Sequence, residues 1–167
     1  TAGAAGSPAA ARPASRRSVA ASLSGLTGLA KKSFMPAIRQ RSRVWAKAYN
    51  SFDMTDLEPL IDENVRYSSM WVFDEIAGRI AYLDYLRGKL EAIRNSTSQV
   101  SAEIAETRVY PMYRMPEEPC VYVRRQSGDE TREAVVLFEV DNGRITQISM
   151  TGIPIPSTVY RTGEIPL

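Results

Sequence analysis

Residues 134–150 read Ala-Val-Val-Leu-Phe-Glu-Val-Asp-Asn-Gly-Arg-Ile-Thr-Gln-Ile-Ser-Met. The β-branched and aromatic residues on both sides of the Asn142-Gly143 pair are typical of strands. An Asn-Gly pair between two such runs favours a type I′ turn, because both residues adopt a positive φ at little cost. The segment therefore predicts a β-hairpin, with one strand at 134–140 and the other at 144–150.

Two more segments of the same character precede this hairpin. Residues 99–110 alternate between polar and apolar positions, the apolar ones being Val100, Ala102, Ile104 and Val109. A second strand-like run lies at 120–125, and Ser127-Gly-Asp-Glu130 supplies a turn after it. Cys120 is the one cysteine of the chain, so an intrachain disulfide is excluded, and its apolar neighbours predict a small core residue. We expect four consecutive antiparallel strands here.

The first half of the chain has helical spacing instead. A helix at about 39–51 is predicted by an apolar face made of Val44, Trp45, Ala48 and Tyr49. Thr55-Asp-Leu-Glu58 has the pattern of a capping box and predicts a short helix through Ile61. Residues 65–73 are rich in aromatic and β-branched residues and predict a strand. After Gly78, apolar residues at a three-to-four spacing predict a longer helix: Ile80, Leu83, Leu86, Leu90 and Ile93.

This order of elements predicts the fold class. Helices gathered early and a meander late indicate an α+β fold, with the helices packed on one face of a curved antiparallel sheet. We expect Leu83, Leu86 and Leu90 to face that sheet. The domain should span residues 37–154, between a basic low-complexity arm at 1–36 and an extended Pro-rich tail at 155–167.

Charge is distributed unevenly along the chain. The first 47 residues contain nine Lys or Arg and no acidic residue, whereas the other 120 contain twelve basic and nineteen acidic residues. A segment of +9 is therefore joined to a body of −7, although the whole chain carries only +2. The arm is rich in Ala, Ser, Gly, Arg and Pro, a composition that buries too little apolar surface to fold alone. Such an arm is typical of an address or an attachment.

The arm contains a candidate targeting signal. Ser15-Arg-Arg-Ser-Val19 places an arginine pair ahead of a short apolar run, as in twin-arginine export signals, and the acid-free composition is also typical of organellar transit peptides. The run at 18–30 is too short and too polar to span a bilayer, which takes about 20 apolar residues. The alternatives are a retained targeting segment and a tolerated low-complexity tail.

The basic residues of this region are candidates for binding a partner: Arg12, Arg16, Arg17, Lys31, Lys32, Arg39, Arg41 and Arg43. An acidic protein surface and an anionic lipid surface both fit such a charge. Nucleic acid fits less well, because the arm has a single aromatic residue, Phe34, for stacking. We therefore expect subunits of a larger protein assembly as partners, with an anionic lipid surface as the alternative.

Four stretches carry a resemblance to a known family. They are Trp45-Ala-Lys-Ala-Tyr-Asn-Ser-Phe-Asp53, Leu57-Glu-Pro-Leu-Ile-Asp-Glu-Asn-Val-Arg-Tyr67, Gly78-Arg-Ile-Ala-Tyr-Leu-Asp-Tyr-Leu86 and Val135-Val-Leu-Phe-Glu-Val-Asp-Asn-Gly-Arg-Ile145. In this order and spacing the body, about 39–154, resembles the NTF2-like superfamily, particularly its ketosteroid-isomerase and SnoaL-like branch. The resemblance implies an NTF2-like cone, in which N-terminal helices pack on a curved antiparallel sheet around a cavity.

The resemblance also implies positions for a catalytic site. Isomerases of that branch use a Tyr on the first helix as oxyanion donor and an Asp on the first strand as base. Tyr49 matches the Tyr, but the base position falls on or near Ser68, which cannot abstract a carbon-bound proton without an activating base. Related cyclases and dehydratases rely on His, and this chain has none. We therefore expect no catalytic residue, with Glu139 as the carboxylate that would revive an enzyme.

A cone of this kind offers room for an apolar ligand. The candidate pocket residues are Tyr49, Ser68, Trp71, Tyr110, Tyr122 and Glu139, with ordinary core or surface positions as the alternative for each. The sequence contains no metal-ligand cluster, Gly-rich phosphate loop or nucleophile elbow. No cofactor or metal is therefore predicted, and contact with a pigment or a lipid is compatible with an apolar cone.

Two functions from different classes follow from these features. The first is a non-catalytic accessory subunit, anchored by the arm in a membrane-associated organellar complex, with a photosystem antenna preferred over a respiratory complex. The twin-arginine run favours a plastid and its thylakoid, with the mitochondrion as the alternative. The second is a SnoaL-like isomerase or hydrolase that binds a small molecule in an apolar pocket. The missing His and the Ser at the base position favour the first.

Overall fold

The computed structural model describes residues 28–108, 118–152 and 158–167. Two helices, α1 at Gly28–Ser51 and α2 at Arg79–Arg94, pack on one sheet. The seven strands are β1 Ile61–Ser69, β2 Val72–Ala77, β3 Gln99–Thr107, β4 Pro119–Ser127, β5 Glu130–Asp141, β6 Arg144–Gly152 and β7 Val159–Arg161. Their order across the sheet is β2-β1-β6-β5-β4-β3-β7. The predicted α+β class is confirmed.

The sheet is mixed rather than wholly antiparallel. β1 runs parallel to β6, with Tyr67 opposite Ile148, while every other pair between the described strands is antiparallel. The consecutive pairs β3–β4, β4–β5 and β5–β6 form the predicted meander. The parallel pair joins segments about eighty residues apart in the chain, a non-local contact that local sequence patterns do not encode.

The hairpin turn predicted from Asn142-Gly143 is present. Asp141 pairs with Arg144, and the two residues between them have φ values of 48° and 76°, the positive pair that a type I′ turn requires. Ser127 likewise pairs with Glu130 across the other predicted turn. Both turns therefore formed where the local turn chemistry indicated.

Three other elements differ from the sequence prediction. α1 begins at Gly28, about three turns before the predicted start at 39, and contains Pro36. The predicted strand at 65–73 is two strands joined by a tight reversal between Ser69 and Val72. The predicted capping box does not form, because Thr55 donates to the Asp53 carboxylate at 2.6 Å and only a 3₁₀ turn, Glu58–Leu60, follows. Pro59 lies inside this turn, and the chain becomes extended at Ile61, with φ −83° and ψ 129°.

The core lies between the helices and the face of the sheet that they cover, called the concave face below. Leu83, Leu86 and Leu90 are all buried in it, which confirms the predicted phase of α2. A smaller apolar cluster lies on the opposite, convex face, where Cys120 is fully buried with Val135 as its neighbour. Cys120 is therefore a core residue, as predicted.

Residues 158–167 run along the free edge of β3 and cover it. β7 pairs with β3, and beyond it the Ile104 backbone N–H donates to the Glu164 carbonyl at 2.9 Å. Asn50 of α1 joins this edge, since its amide nitrogen donates to the carbonyls of both Ala102 and Pro166. This part of the predicted extended tail is therefore bonded to the domain. Covering a sheet edge in this way prevents edge-to-edge pairing with other chains.

Neither described helix has the length and apolar character that crossing a membrane demands.

Candidate functional site

A cavity of about 330 Å³ opens on the concave face, between α1, α2 and the sheet. Its apolar wall is formed by Val72, Ala92, Ile93, Val123, Ala134 and Met150. Its polar residues are Tyr49, Ser69, Tyr85, Lys89, Arg125, Arg132 and Glu133. Trp71 lies at the mouth with about half of its surface exposed. The cavity is thus an apolar space with a few polar side chains converging on it, as in many ligand sites.

Local periodicity explains which side chains reach the cavity. Tyr85, Lys89 and Ile93 are spaced by four residues in α2 and therefore form one stripe of its surface. In β4 the alternation that places Val123 in the core also places Arg125 on the concave face, at the end of the strand. Tyr49 is held by Trp45, one turn earlier in α1, with ring centroids 4.9 Å apart and an interplanar angle of 17°.

Lys89 is the cation deepest in this site. Its Nζ atom lies 3.5 Å from the sulfur of Met150 and about 6 Å from the ring centroids of both Tyr49 and Tyr85. Among the described residues no carboxylate oxygen lies within ion-pair distance of it. Burial, and after it the positive charge of Arg125, lower the pKa of Lys89 to about 8.

Two other hydrogen-bond donors accompany Lys89. Arg125 donates to the Ser98 hydroxyl at 3.1 Å and forms no ion pair within the described part of the chain. Tyr49 is only 5% exposed, and its hydroxyl has no hydrogen-bond partner among the described residues. Burial raises the pKa of Tyr49 to about 12, so its hydroxyl keeps its proton and remains a donor at neutral pH.

The acidic residue that borders the cavity, Glu133, directs its carboxylate to the other side of the sheet. Ala134 pairs with Val123 on the concave face, whereas Glu133 pairs with Arg124 on the convex face. There the Tyr122 hydroxyl donates to the Glu133 carboxylate at 2.5 Å. The cavity therefore presents cations and hydroxyl donors without a facing carboxylate, an arrangement suited to a ligand with acceptor oxygens.

No metal site accompanies the cavity: across 28–108, 118–152 and 158–167, no three His, Cys, Asp or Glu side chains cluster closely enough to hold an ion.

The six sequence-predicted pocket residues fall into different places. Tyr49 and Trp71 line the cavity, and Tyr110 lies outside the described residues. Tyr122 belongs to the convex cluster. Glu139 pairs with Gln147 on the convex face as well, half-buried, and so cannot act as a base in the cavity. The expectation that these side chains share one pocket is corrected accordingly.

Ser68 also lies on the convex face, where its hydroxyl donates to that of Ser149 at 3.3 Å. Its neighbours Tyr67 and Ser69 face the concave side, and Ser69 lines the cavity. Because side chains alternate along a strand, an error of one position moves a residue to the other face. The expected proximity of Ser68 to Tyr49 is therefore wrong, and the matching concave position is Ser69.

The sequence reasoning missed Lys89 and Arg125. A signal for each was present in the pattern. Lys89 continues the stripe from Tyr85 to Ile93 on an otherwise apolar side of α2, and Arg125 continues the inward alternation of Val121 and Val123. Lys89 is half-buried and has no ion-pair partner among the described residues, and such a charge is costly, which indicates a functional site. Arg125 is exposed and is singled out only by its place on the concave face.

Three of the basic residues expected to bind a partner are held by the domain itself. Arg39 forms an ion pair with Glu106, Arg43 donates to Glu164 at 2.7 and 3.1 Å, and Arg41 donates to the Gly143 carbonyl at 2.8 Å. The remaining candidates lie outside the residues whose side chains are described: Arg12, Arg16, Arg17, Lys31 and Lys32. The partner-binding prediction therefore rests on these five.

No protein-family model matches the sequence, and no curated protein matches it. Several solved structures have a fold similar to that of this chain. An NTF2-like protein of unknown function from Mesorhizobium loti superposes with a TM-score of 0.55 at 15% identity, over 72% of this chain and 93% of that chain. A Kribbella flavida protein provisionally described as a ketosteroid isomerase has a TM-score of 0.50 at 20% identity, over 73% and 82% of the two chains. A de novo designed protein with a curved β-sheet has a TM-score of 0.51 at 17% identity, over 71% and 87%.

These likenesses concern the fold. A designed sequence reaches the same architecture, so the architecture does not by itself carry an activity. What the cavity does has to be argued from its own side chains.

Proposed function

We propose that this chain, whose body has the NTF2-like fold, binds a small apolar molecule through a head group of acceptor oxygens, a carboxylate foremost. The observation that carries the proposal is the convergence of Lys89, Arg125 and Tyr49 on an apolar cavity that no carboxylate faces. All three side chains donate hydrogen bonds, and two of them carry charge. A carboxylate would accept from them in a site partly shielded from water, where such bonds are strong.

The size of the cavity restricts the ligand. A volume of about 330 Å³ lies at the lower end of ligand pockets, which run from about 300 to 1,000 Å³. One ring with a short chain fits such a space. The apolar wall would contact the ring, while the donors take the head group. The exposed indole of Trp71 at the mouth offers a surface against which the ring can pack on entry.

The side chains favour binding over the isomerase activity that the fold suggests. Abstraction of a carbon-bound proton needs a base within reach; neither His nor a facing carboxylate lines the described cavity, and Lys89, whose pKa is lowered to about 8, is mainly protonated at neutral pH. Tyr49 can donate to an oxyanion, so one half of the isomerase arrangement is in place. Ser69 occupies the concave position near the expected base and cannot take over its role.

Calorimetric titration with 4-phenylbutyrate, 4-phenylbutyramide and 4-phenylbutylamine tests this proposal. We expect the carboxylate to bind at least about tenfold more tightly than the amide, since one lost charge-assisted hydrogen bond is worth about 1.5–3 kcal/mol. We expect the amine not to bind, because the site itself presents cations. Lys89→Met should weaken carboxylate binding by a similar factor. Lys47→Met is the matched control, because Lys47 is a half-exposed lysine of α1 paired with Asp56 at 3.7 Å. Equal affinities for the three compounds would contradict the proposal.

We also propose that the basic arm attaches the domain to a larger membrane-associated assembly in an organelle, a plastid thylakoid foremost. Its support is the run of 47 residues with nine basic and no acidic side chains. Four of the nine have acceptors on the domain (Arg39, Arg41, Arg43 and Lys47), which leaves the more N-terminal ones for a partner. Deletion of residues 1–27 should leave the thermal midpoint of the domain unchanged and abolish its co-purification with organellar membranes at moderate salt. Retention on the membranes would contradict attachment by the arm. A milder test than the deletion is a variant in which three arginines are changed together to Gln: Arg12, Arg16 and Arg17.

A further inference from the structure

We propose that Lys89 is a nucleophile, and that its amine condenses with the aldehyde group of an apolar ligand to form an imine inside the cavity. The inference rests on the proposed function in one respect, since the same cavity must admit the ligand. It goes beyond that function by assigning a covalent step and a second class of ligand, apolar aldehydes.

The surroundings of Lys89 differ from those of a surface lysine. Its amine lies against the Met150 sulfur and between two phenol rings, those of Tyr49 and Tyr85. Lys47 shows the ordinary case: it projects from the surface of α1 and pairs with Asp56. A carboxylate partner stabilises the ammonium form, which is not nucleophilic. Lys89 lacks such a partner among the described residues, and a second cation, Arg125, lines the same cavity. Desolvation beside another cation is the usual means of activating a lysine.

The proton affinity of Lys89 agrees with this geometry. With its pKa lowered to about 8, roughly a quarter of Lys89 is neutral at pH 7.5, whereas an ordinary lysine is neutral in about one molecule in a thousand. The polar groups around it are the hydroxyls of Tyr49, Tyr85 and Tyr67 and the guanidinium groups of Arg125 and Arg132, while the Glu133 carboxylate is bonded to Tyr122 on the other face of the sheet. Among the described residues, therefore, no carboxylate faces Lys89 to raise its pKa again.

The reaction is balanced without an oxidant or a reductant. The nitrogen lone pair forms a bond to the carbonyl carbon, and the electrons of the C–O π bond move to oxygen, which takes up a proton. Loss of the second proton of the amine and of the hydroxyl group then releases one water and leaves the C=N bond. Tyr49, which keeps its proton at neutral pH, is placed to donate a hydrogen bond to the carbonyl oxygen as negative charge develops there.

Reductive trapping tests the inference. The full chain is incubated with 3-phenylpropanal and sodium cyanoborohydride at pH 7.5, digested, and mapped by mass spectrometry. A trapped adduct adds the mass of the aldehyde less one oxygen atom. We expect initial labelling of Lys89 to be at least about tenfold faster than labelling of Lys47, because the difference in neutral fraction exceeds the loss of intrinsic nucleophilicity. Equal labelling of the two lysines, or labelling of Lys47 alone, would overturn the inference.

Two further measurements separate this inference from the proposed function. Lys89→Arg has no nucleophilic amine and should lose the fast-labelled site, whereas Lys47→Arg, the matched control, should keep it. Excess 4-phenylbutyrate should slow the labelling of Lys89 in the native chain and leave that of Lys47 unchanged. Carboxylate binding without preferential labelling would overturn only the covalent step. Preferential labelling without carboxylate binding would overturn only the head-group assignment.

Discussion

The amine of Lys89 lies 6.0 Å from the centre of the Tyr49 ring, and this contact spans the cavity from α2 to α1. Tyr49 in turn stacks on Trp45, whose indole N–H donates to the Tyr82 hydroxyl at 2.9 Å. The lysine is therefore placed against a rigid aromatic cluster that ties both helices together. An aromatic face stabilises a cation only modestly, which leaves most of the cost of burying Lys89 uncompensated.

Replacement of Lys89 by Met should stabilise the domain at neutral pH. The pKa of Lys89 is lower in the folded chain, about 8, than its unperturbed value of 10.5, so the unfolded chain binds more protons between these values. The variant should therefore be more stable than the native chain by about 1–3 kcal/mol below pH 8, a margin that disappears as the pH approaches 10.5. Urea unfolding of both proteins from pH 7 to 10 measures this difference in stability. Both proteins contain the same tyrosines, so the contribution of tyrosine titration cancels in the comparison. A margin independent of pH would contradict a buried, titrating Lys89.

The affinity for a carboxylate ligand should depend on pH through the same group. Below pH 8 the ammonium form of Lys89 is the major one and binding is strongest; above pH 8 the free protein loses that charge and affinity falls. Calorimetry with 4-phenylbutyrate at successive pH values should show a decline of up to tenfold per pH unit. Lys89→Arg should flatten the profile, since arginine stays charged throughout this range. A native profile as flat as that of the arginine variant would exclude Lys89 from the head-group site.

Removal of the Tyr49 hydroxyl should weaken ligand binding and leave stability almost unchanged. The hydroxyl has no partner among the described residues, so Tyr49→Phe breaks no internal hydrogen bond there, and the stacked ring is kept. We expect a loss in carboxylate affinity of about 3- to 10-fold, corresponding to a hydrogen bond of about 1 kcal/mol. Titration and thermal unfolding of the same preparation check both parts. Undiminished affinity would show that the hydroxyl does not meet the ligand.

The C-terminal segment should depend on a buried carboxylate. Glu103 is 2% exposed and accepts from Arg161 at 2.5 and 2.9 Å and from the Gly163 N–H at 2.7 Å. Arg161→Ala leaves this carboxylate without its cation, and we expect a loss of about 2–4 kcal/mol in the free energy of unfolding. Glu103→Gln combined with Arg161→Ala should cost less than the sum of the two single changes. Strict additivity in denaturant unfolding would contradict the coupling.

Ser42 should tolerate a smaller side chain with a gain in stability. It is fully buried in α1, and its hydroxyl has no partner in the described structure. Ser42→Ala removes a desolvated polar group and adds helix propensity, so we expect a gain of about 1 kcal/mol. Thermal unfolding measures the change, with the exposed Ser51 of the same helix, changed to Ala, as the control. A loss at Ser42 would indicate a partner outside the described residues.

The misplacement of Ser68 has a physical origin. The sequence predicts one strand at 65–73, whereas the chain reverses between Ser69 and Val72. Whether Ser68 or Ser69 faces the cavity depends on the pairing of β1 with β6, a contact between residues far apart in the chain. Local propensity does not specify such a pairing, and a shift of one residue exchanges the faces. The hairpin at Asn142-Gly143 was predictable because its turn chemistry is local.

Local patterns in the chain were sufficient for the α+β class, the meander and the buried face of α2, since each depends on spacing within a single element. The cavity required the tertiary structure. Lys89 and Arg125 come from a helix and a strand that are adjacent only after folding, and the low pKa of Lys89 depends on what surrounds its amine. Desolvation and the absence of a facing carboxylate are properties of the assembled site, because solvent exclusion arises only when several elements pack together.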